Sequence, residues 1–419
     1  MSTTVQTAPA VSSPTYSSRL VSIDIIRGAV MVIMAIDHVR VFSGLPAGGP
    51  TPGIFFTRWV THFCAPAFIF LAGTSSFLYA RKHPDVSRFL LLRGLWLIAL
   101  ELTVLRLAWT FNFDFAHYEM AGVLWAIGCC MILLAALVKL PLPITGAIGI
   151  IIIAAHNLLD SRFWQIVDGL NASRFSALWK ILYIGFYAGP VKFGRDGPNL
   201  IVLYSIVQWI GVMAAGYGLG AMFLLDRPTR RRQLLGLGIV LTLLFVGLRY
   251  YNLYGDPQKY AEPPARTLTM FGREWDAEQS GPMMRLMAFL NCTKYPPSLL
   301  FLLMTLGPAI VALAVFDRPL GWLLRPFLIF GRVPLFFYLL HLPLIHGVAV
   351  AVDYYRFGYS PLAHVSFFVL PTEPIPPGYG LDLPMVYAVW FAVVVVLFPF
   401  CYAYSRLKRR YPGGILSYL

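Results

Sequence analysis

A chain of 419 residues has the length of two or three soluble domains, but its composition excludes that class. Hydrophobic residues make up 58% and charged residues 12%, against roughly 45–50% and 25% in a typical soluble domain, and the mean hydropathy is +0.69. Lys and Arg number 33 against 19 Asp and Glu, a net +14 that in so apolar a chain reflects the positive-inside rule and membrane lipid, with no nucleic-acid partner expected.

Residues 1–18, rich in Ser, Thr, Pro and Ala, read as a disordered N-terminal tail. The first apolar segment carries Asp24, Arg27, Asp37, His38 and Arg40, which a cleavable signal core would not tolerate, so it is expected to persist as the first span. At about 20 residues per crossing, about ten spans follow, near 21–42, 60–80, 88–110, 120–139, 142–159, 199–225, 233–253, 297–316, 326–352 and 384–405. The stretch Ala177 to Pro190 holds Lys180 and Gly185 and reads as an interfacial or re-entrant piece. The expected fold is therefore an all-α polytopic bundle over 19–405, followed by a basic cytoplasmic tail, 406–419.

Orientation follows from the short loops. Arg81-Lys82, Lys139, Arg227 with Arg230-Arg231-Arg232, Arg318 and the tail cations Arg406, Lys408, Arg409 and Arg410 fall on one face. Asp114, His117 and Glu119 fall on the other. Both termini are then cytoplasmic, and the long segments 160–198, 254–296 and 353–383 lie outside, at lengths that suit a cap over a site. Five cysteines (Cys64, Cys129, Cys130, Cys292 and Cys401) form neither a disulfide framework nor a metal-ligand spacing, and no metal is expected.

Ionisable residues within spans are functional candidates by default. Asp24 and Arg27, three residues apart, share one helical face and read as an ion pair near the cytoplasmic end. His38 projects within about 40° of Asp24, roughly 20 Å farther along, so Met31 and Met34 lie between the two charged ends of a tunnel-like wall. Glu101 and Arg106 suggest another buried pair, and Gly331-Arg332-Val333-Pro334 a helix break. Histidine moves protons near neutral pH; of His38, His62, His341 and His346, three fall in the outer half or rim of their helices, placed to converge on one pocket, and His341 lies nearer mid-membrane. For each, a satisfied interhelical hydrogen bond is the competing reading. Lys294 precedes the eighth span and either contacts an anion or snorkels at the interface. No phosphate-binding loop or zinc-protease motif is present.

The run Arg19-Leu20-Val21-Ser22-Ile23-Asp24-Ile25-Ile26-Arg27-Gly28, then Asp37-His38, then Pro66-Ala67-Phe68-Ile69-Phe70-Leu71-Ala72-Gly73-Thr74-Ser75, resembles the heparan-alpha-glucosaminide N-acetyltransferase catalytic domain family. Gly122 to Gly128, Lys294-Tyr295-Pro296-Pro297-Ser298 and Gly331-Arg332-Val333-Pro334 with His341 resemble its bacterial branch of multi-pass membrane proteins. The resemblance implies transfer of an acetyl group from cytosolic acetyl-CoA to an acceptor across the membrane. In the lysosomal enzyme the acceptor is a terminal glucosamine, and the site uses an asparagine at the outer end of the first span and a histidine in the next loop. Asp37 stands at the asparagine position, and residues 43 to 57 contain no histidine.

On this basis Asp37, His38, His62 and His341 are the catalytic candidates, with His38 as base and Asp37 polarising or orienting it. Donor binding falls to Arg27 with Asp24, Arg81, Lys82 and Arg93 at the cytoplasmic mouth, and to Lys294 and Arg332. The expected protein is an acyltransferase of the bacterial cytoplasmic membrane that uses acetyl-CoA as donor and a glycan or small molecule as acceptor, with a homodimer left open. The rival readings are a transporter or flippase for a polar or lipid-linked solute and an assembly scaffold whose charge pairs only hold helices together.

Overall fold

A helix surrounded by lipid satisfies its own backbone groups, so an apolar chain of this kind resolves into helices. The structure, a computed structural model, describes residues 20–44, 51–162, 165, 168–170, 172–194, 197–257, 281–318, 321–365 and 374–411. The N-terminal tail, residues 412–419 of the C-terminal tail and much of the expected caps at 258–280 and 366–373 lie outside the described residues.

The helices are α1 Val21–Phe42, α2 Pro52–Thr61, α3 Cys64–Ala80, α4 Val86–Leu100, α5 Arg106–Thr110, α6 Val123–Leu137, α7 Leu142–Ala155, α8 Ile206–Leu219, α9 Arg227–Tyr250, α10 Pro282–Leu290, α11 Leu299–Val315, α12 Arg325–Arg332, α13 Pro334–Phe357 and α14 Leu383–Arg410. A π-turn over Glu101–Leu105 joins α4 to α5. Among the described residues, six helical segments are long and apolar enough to cross a bilayer: Pro52–Ala80, Leu142–Leu159, Ile206–Leu224, Arg227–Tyr250, Pro334–Phe357 and Leu383–Arg410. Val123–Leu137 and Leu299–Val315 are apolar but shorter. The chain is a predominantly helical, multi-pass membrane protein.

Helix α1 lies inside the bundle, packed against α2, α3, α11, α12, α13 and α14. That position explains how it tolerates four charged residues: they face protein rather than hydrocarbon. By contrast only 17% of the apolar window of α14 is buried, as befits a helix at the lipid boundary. Where α1 crosses α12, Gly28 and Gly331 face each other's helix. A Cβ on Gly28 would overlap the Phe327 carbonyl, and one on Gly331 the Asp24 carbonyl. Close backbone approach through small residues is how helices pack without a hydrophobic driving force between them.

Three features depart from the expected spans. The segment expected as one span over 199–225 begins as a strand, β3 Asn199–Val202, before α8 starts. It pairs in parallel with β1 Tyr118–Ala121 and antiparallel with β2 Val191–Lys192, adding a small sheet to the helical bundle. Second, the segment expected at 326–352 is two helices, broken at Val333 as Gly331 and Pro334 suggest. Third, residues expected to begin the tail at 406 continue α14 to Arg410. The stretch near 177–190 forms short helical turns over 176–188, too short to cross.

The bundle has a basic end and a far end. At the basic end Arg230 binds the Asp317 carboxylate at 2.8 Å and Arg227 donates to the Asp317 carbonyl at 2.8 Å, tying the start of α9 to the end of α11. At the far end lie the sheet and the exposed Asp114–His117 pair, in which the His117 ring holds the Asp114 carboxyl below the ordinary carboxylate range. Here the expected Glu101–Arg106 pair is replaced by separate roles. Glu101 accepts from the backbone N–H groups of Leu124 (2.8 Å) and Trp125 (3.3 Å), satisfying the orphan donors at the start of α6. Arg106 donates to the carbonyls of Tyr118, Asn112 and Asp114.

Candidate functional site

From the basic end a cavity of about 430 Å³ enters between α1, α3, α4, α6, α13 and α14. Five cations line it, Arg27, Arg93, Arg332, Lys408 and Arg409, and among the described residues no carboxylate does. Arg27 is held in place by the Leu71 carbonyl (3.1 Å) and the Ser75 hydroxyl, both on α3. The α12–α13 break brings Gly331 to Leu335 to the wall, so a sequence feature that interrupts a helix also shapes the cavity. Apolar residues such as Met31, Phe68, Leu97 and Ile127 supply the rest of the lining, and Tyr338 is part of it.

Tyr338 connects this cavity to a histidine pair. Its ring lies 5.2 Å from that of His341 and 6.4 Å from that of His38. His38 Nδ1 and His341 Nε2 are 2.7 Å apart, with the rings stacked at 4.9 Å. The proton positions follow from the partners. His341 Nδ1 faces the carbonyl oxygens of Tyr338 (2.8 Å) and Phe337 (3.1 Å), one turn back on α13. Carbonyls only accept, so in the neutral ring Nδ1 carries the hydrogen and Nε2 is bare. His38 Nδ1–H therefore donates to His341, which leaves the lone pair on His38 Nε2. Trp109 packs edge-on against His38 at 5.0 Å and stacks on Phe42 at 5.4 Å.

Asp37 does not orient His38. Its carboxylate accepts from Arg40 at 2.9 and 3.0 Å and from Arg58, on α2, at 3.4 Å. Successive residues of a helix point about 100° apart, so Asp37 faces α2 while His38 faces α13. The orienting group is His341, from a different helix. Around Asp37 a second polar cluster forms: Lys294 acts electrostatically on Asp37, His38 and His62, and its ammonium sits 5.1 Å from the centre of the Tyr295 ring. The Tyr204 ring packs edge-on against Tyr295 at 5.4 Å. His62 is buried beside Phe301, and neither of its ring nitrogens has a hydrogen-bond partner.

The three outer histidines expected to converge, His38, His62 and His346, are thus divided, and His38 meets the fourth instead. His38 and His341 meet, and His62 stands with Arg58 and Lys294. His346 is a structural clamp, its nitrogens facing the carbonyls of Ala108 (2.9 Å) and Leu362 (2.8 Å) and its ring sandwiched between Phe42 and Phe111. Of the expected donor-binding residues, Arg27, Arg93 and Arg332 line the cavity. Arg81 and Lys82 are exposed beyond the end of α3 and Asp24 is buried at the α12 crossing; none of the three lines it. Lys294 belongs to the Asp37 cluster instead. Sequence reasoning missed Lys408 and Arg409, read only as topology signals, and Tyr338, three residues before His341 and hence on its helical face.

The sequence profile of the family described as heparan-alpha-glucosaminide N-acetyltransferase, catalytic, matches residues 19–254, more than half of the chain, and the chain belongs to that family. No curated protein matches it. The matched segment contains Arg27, Asp37, His38, Arg58 and Arg93, whereas His341, Arg332 and Lys294 lie beyond it.

Proposed function

We propose that this member of the family is a membrane acyltransferase that takes an acetyl group from acetyl-CoA at the basic end and delivers it to an acceptor reached from the far end. The observation that carries the reading is a five-cation cavity lined by Tyr338, whose ring packs against those of the hydrogen-bonded pair His38 and His341. The nucleotide end of CoA bears phosphates, which suit a mouth lined by Arg93, Arg332, Lys408 and Arg409. The apolar lining beyond it suits the thioester arm.

At the inner end, His38 Nε2 accepts a proton from an acceptor amine or hydroxyl as that atom attacks the thioester carbonyl. His341 keeps His38 in the required tautomer through the Nδ1–H bond, the role that a third group has for a catalytic base in other acyl-transfer sites. In this reading Tyr338, which lines the cavity, supplies the hydroxyl that donates to the developing oxyanion. The new bond forms from acceptor to acetyl carbon, the C–S bond breaks, and the proton held on His38 passes to the departing thiolate.

Ten crossings with both termini cytoplasmic, in the cytoplasmic membrane of a bacterium, form part of the same proposal. The six long apolar helices, the two shorter ones, and the charged helical segments 21–42 and 86–110 supply that number. Acceptors in view are an amino sugar or another envelope glycan. The test is transfer of labelled acetyl from acetyl-CoA to glucosamine by the purified protein, with His38→Ala as control. A transporter or flippase, the rival suggested by charges within helices and by the α12–α13 break, would neither bind the donor nor transfer its acyl group.

A further inference from the structure

The end of the bundle that carries the cavity mouth also carries cations that the mouth does not use. Arg318 and Arg325 lie on the connection from α11 into α12 and Arg227 at the start of α9; all three are exposed and none lines the cavity. The carboxylates nearby are already engaged. Asp317 accepts from Arg230 at 2.8 Å, and Asp226 from the backbone N–H of Thr229 at 3.1 Å. Among the described residues the side chains of Arg318 and Arg325 have neither an ion pair nor a hydrogen bond. Between them stand Trp322, 75% exposed, and Leu323, 64% exposed. Trp322 follows Asp317 by five residues, so at about 3.3–3.6 Å of chain per residue it lies within about 18 Å of the Asp317–Arg230 pair. Helix α12 packs on α1 and α14, while the turn before it, Trp322–Leu324, buries no residue. The surface is thus an apolar strip set between unpaired guanidinium groups. Water suits only the cations. A membrane surface suits both, because a tryptophan ring sits at headgroup level and a guanidinium matches phosphate oxygens with parallel N–H···O bonds.

We propose that the segment Arg318–Arg325 docks an anionic phospholipid. The headgroup phosphate accepts from Arg318 and Arg325, and Trp322 and Leu323 enter the apolar layer beneath it. Arg227, which donates to the Asp317 carbonyl at 2.8 Å and so stands beside Arg318, adds to the positive field. Charge complementarity selects the occupant. A zwitterionic lipid brings its own ammonium against these guanidinium groups, whereas phosphatidylglycerol brings a net negative charge. Each basic residue near an anionic headgroup is worth about five-fold in affinity. The inference goes beyond the acyltransferase reading: it requires only that the chain is a multi-pass membrane protein, and it holds whether or not acetyl is transferred.

The experiment places the full chain in phosphatidylcholine nanodiscs and follows the emission of Trp322, taken as the difference between the wild type and Trp322→Phe. Phosphatidylglycerol or phosphatidylcholine with brominated acyl chains is then titrated into the discs, since bromine quenches a tryptophan that it touches. The expected result is half-quenching at a mole fraction of brominated phosphatidylglycerol about five-fold or more below that of brominated phosphatidylcholine. In Arg318→Gln/Arg325→Gln the two fractions coincide. Each single variant, Arg318→Gln or Arg325→Gln, gives an independent reading by cutting the preference about two-fold or more. Lys139→Gln, an exposed cation between α6 and α7, is the control and keeps the preference. Equal fractions in the wild type, or a preference that survives in the double variant, overturn the proposal. So does a preference that Lys139→Gln reduces as much as the single variants do, because the cause is then a diffuse field and not a site. A preference abolished by inorganic phosphate, but not by sodium chloride at the same ionic strength, would mark a free-anion site and likewise overturn the lipid assignment.

Discussion

His38 donates from Nδ1 to Nε2 of His341 across 2.7 Å, a bond between helices 303 positions apart in sequence. Its direction is set by two backbone carbonyls of α13, which claim the only hydrogen of the neutral His341 ring. The bare nitrogen of a ring on α1 thus depends on a partner whose tautomer is fixed by the helix it sits on.

Removal of either ring should therefore slow chemistry rather than donor binding. General-base catalysis contributes about 10²–10⁴-fold, so His38→Ala should lower kcat by about that factor, with KM for acetyl-CoA little changed. His341→Phe keeps the stacked ring and removes the acceptor. It should lower kcat by a smaller factor, roughly 10-fold or more, because His38 loses its orientation and not its nitrogen. Steady-state kinetics of the two variants, with folding checked by gel filtration, measure the difference.

Charge removal in the cavity should have the opposite signature. A charge-assisted hydrogen bond contributes about 1.5–3 kcal/mol, so Arg93→Gln or Arg409→Gln should raise KM for acetyl-CoA by about 10-fold or more, with kcat nearly unchanged. The same changes should weaken dephospho donor analogues less than CoA itself. Arg81→Gln, outside the cavity, should leave KM near the wild-type value.

The α1–α12 crossing should be intolerant of any side chain. A Cβ at Gly331 meets the Asp24 carbonyl, and backbone cannot rotate away as a side chain can. Overpacking costs about 1–3 kcal/mol and occasionally more, and here it would push α1 away from the cavity wall. Gly331→Ala should lower thermal stability and weaken acetyl-CoA binding together. Gly347→Ala, on α13 with open space at its Cβ, is the matched control and should do neither.

His346 should report stability rather than catalysis. The neutral ring has one N–H to donate to the carbonyls of Ala108 and Leu362, so replacement by Leu leaves one buried acceptor without its donor, at about 1–3 kcal/mol. The expected outcome is a lower unfolding midpoint with kcat per folded molecule retained, measured by thermal denaturation alongside the transfer assay.

The elements of the bundle were readable because lipid enforces helices and apolar runs mark them. The break at Gly331 and Pro334 was readable because both residues have local backbone consequences. His38, Arg27, Arg93 and Arg332 stood out as charges or imidazoles in apolar surroundings, and the structure puts each of them at the cavity or the histidine pair. What the sequence hid was partner choice. Asp37 precedes His38 yet pairs with Arg40 and Arg58, because adjacent helical residues face different neighbours. Glu101 and Arg106 part for a comparable reason: the start of α6 supplies N–H donors to one and far-end carbonyls supply acceptors to the other. The strand at Asn199–Val202 was read as helix because four apolar-rich residues before a long span carry no periodicity of their own.

For the proposed chemistry, donor and base must meet: CoA enters the five-cation cavity and its acetyl group reaches His38. Equilibrium binding and transfer of radiolabelled acetyl-CoA by purified protein test this meeting in one experiment. The expected result is saturable binding that Arg93→Gln weakens, and acetyl transfer that His38→Ala abolishes while binding persists. Absence of donor binding, or full transfer by a folded His38→Ala protein, would overturn it.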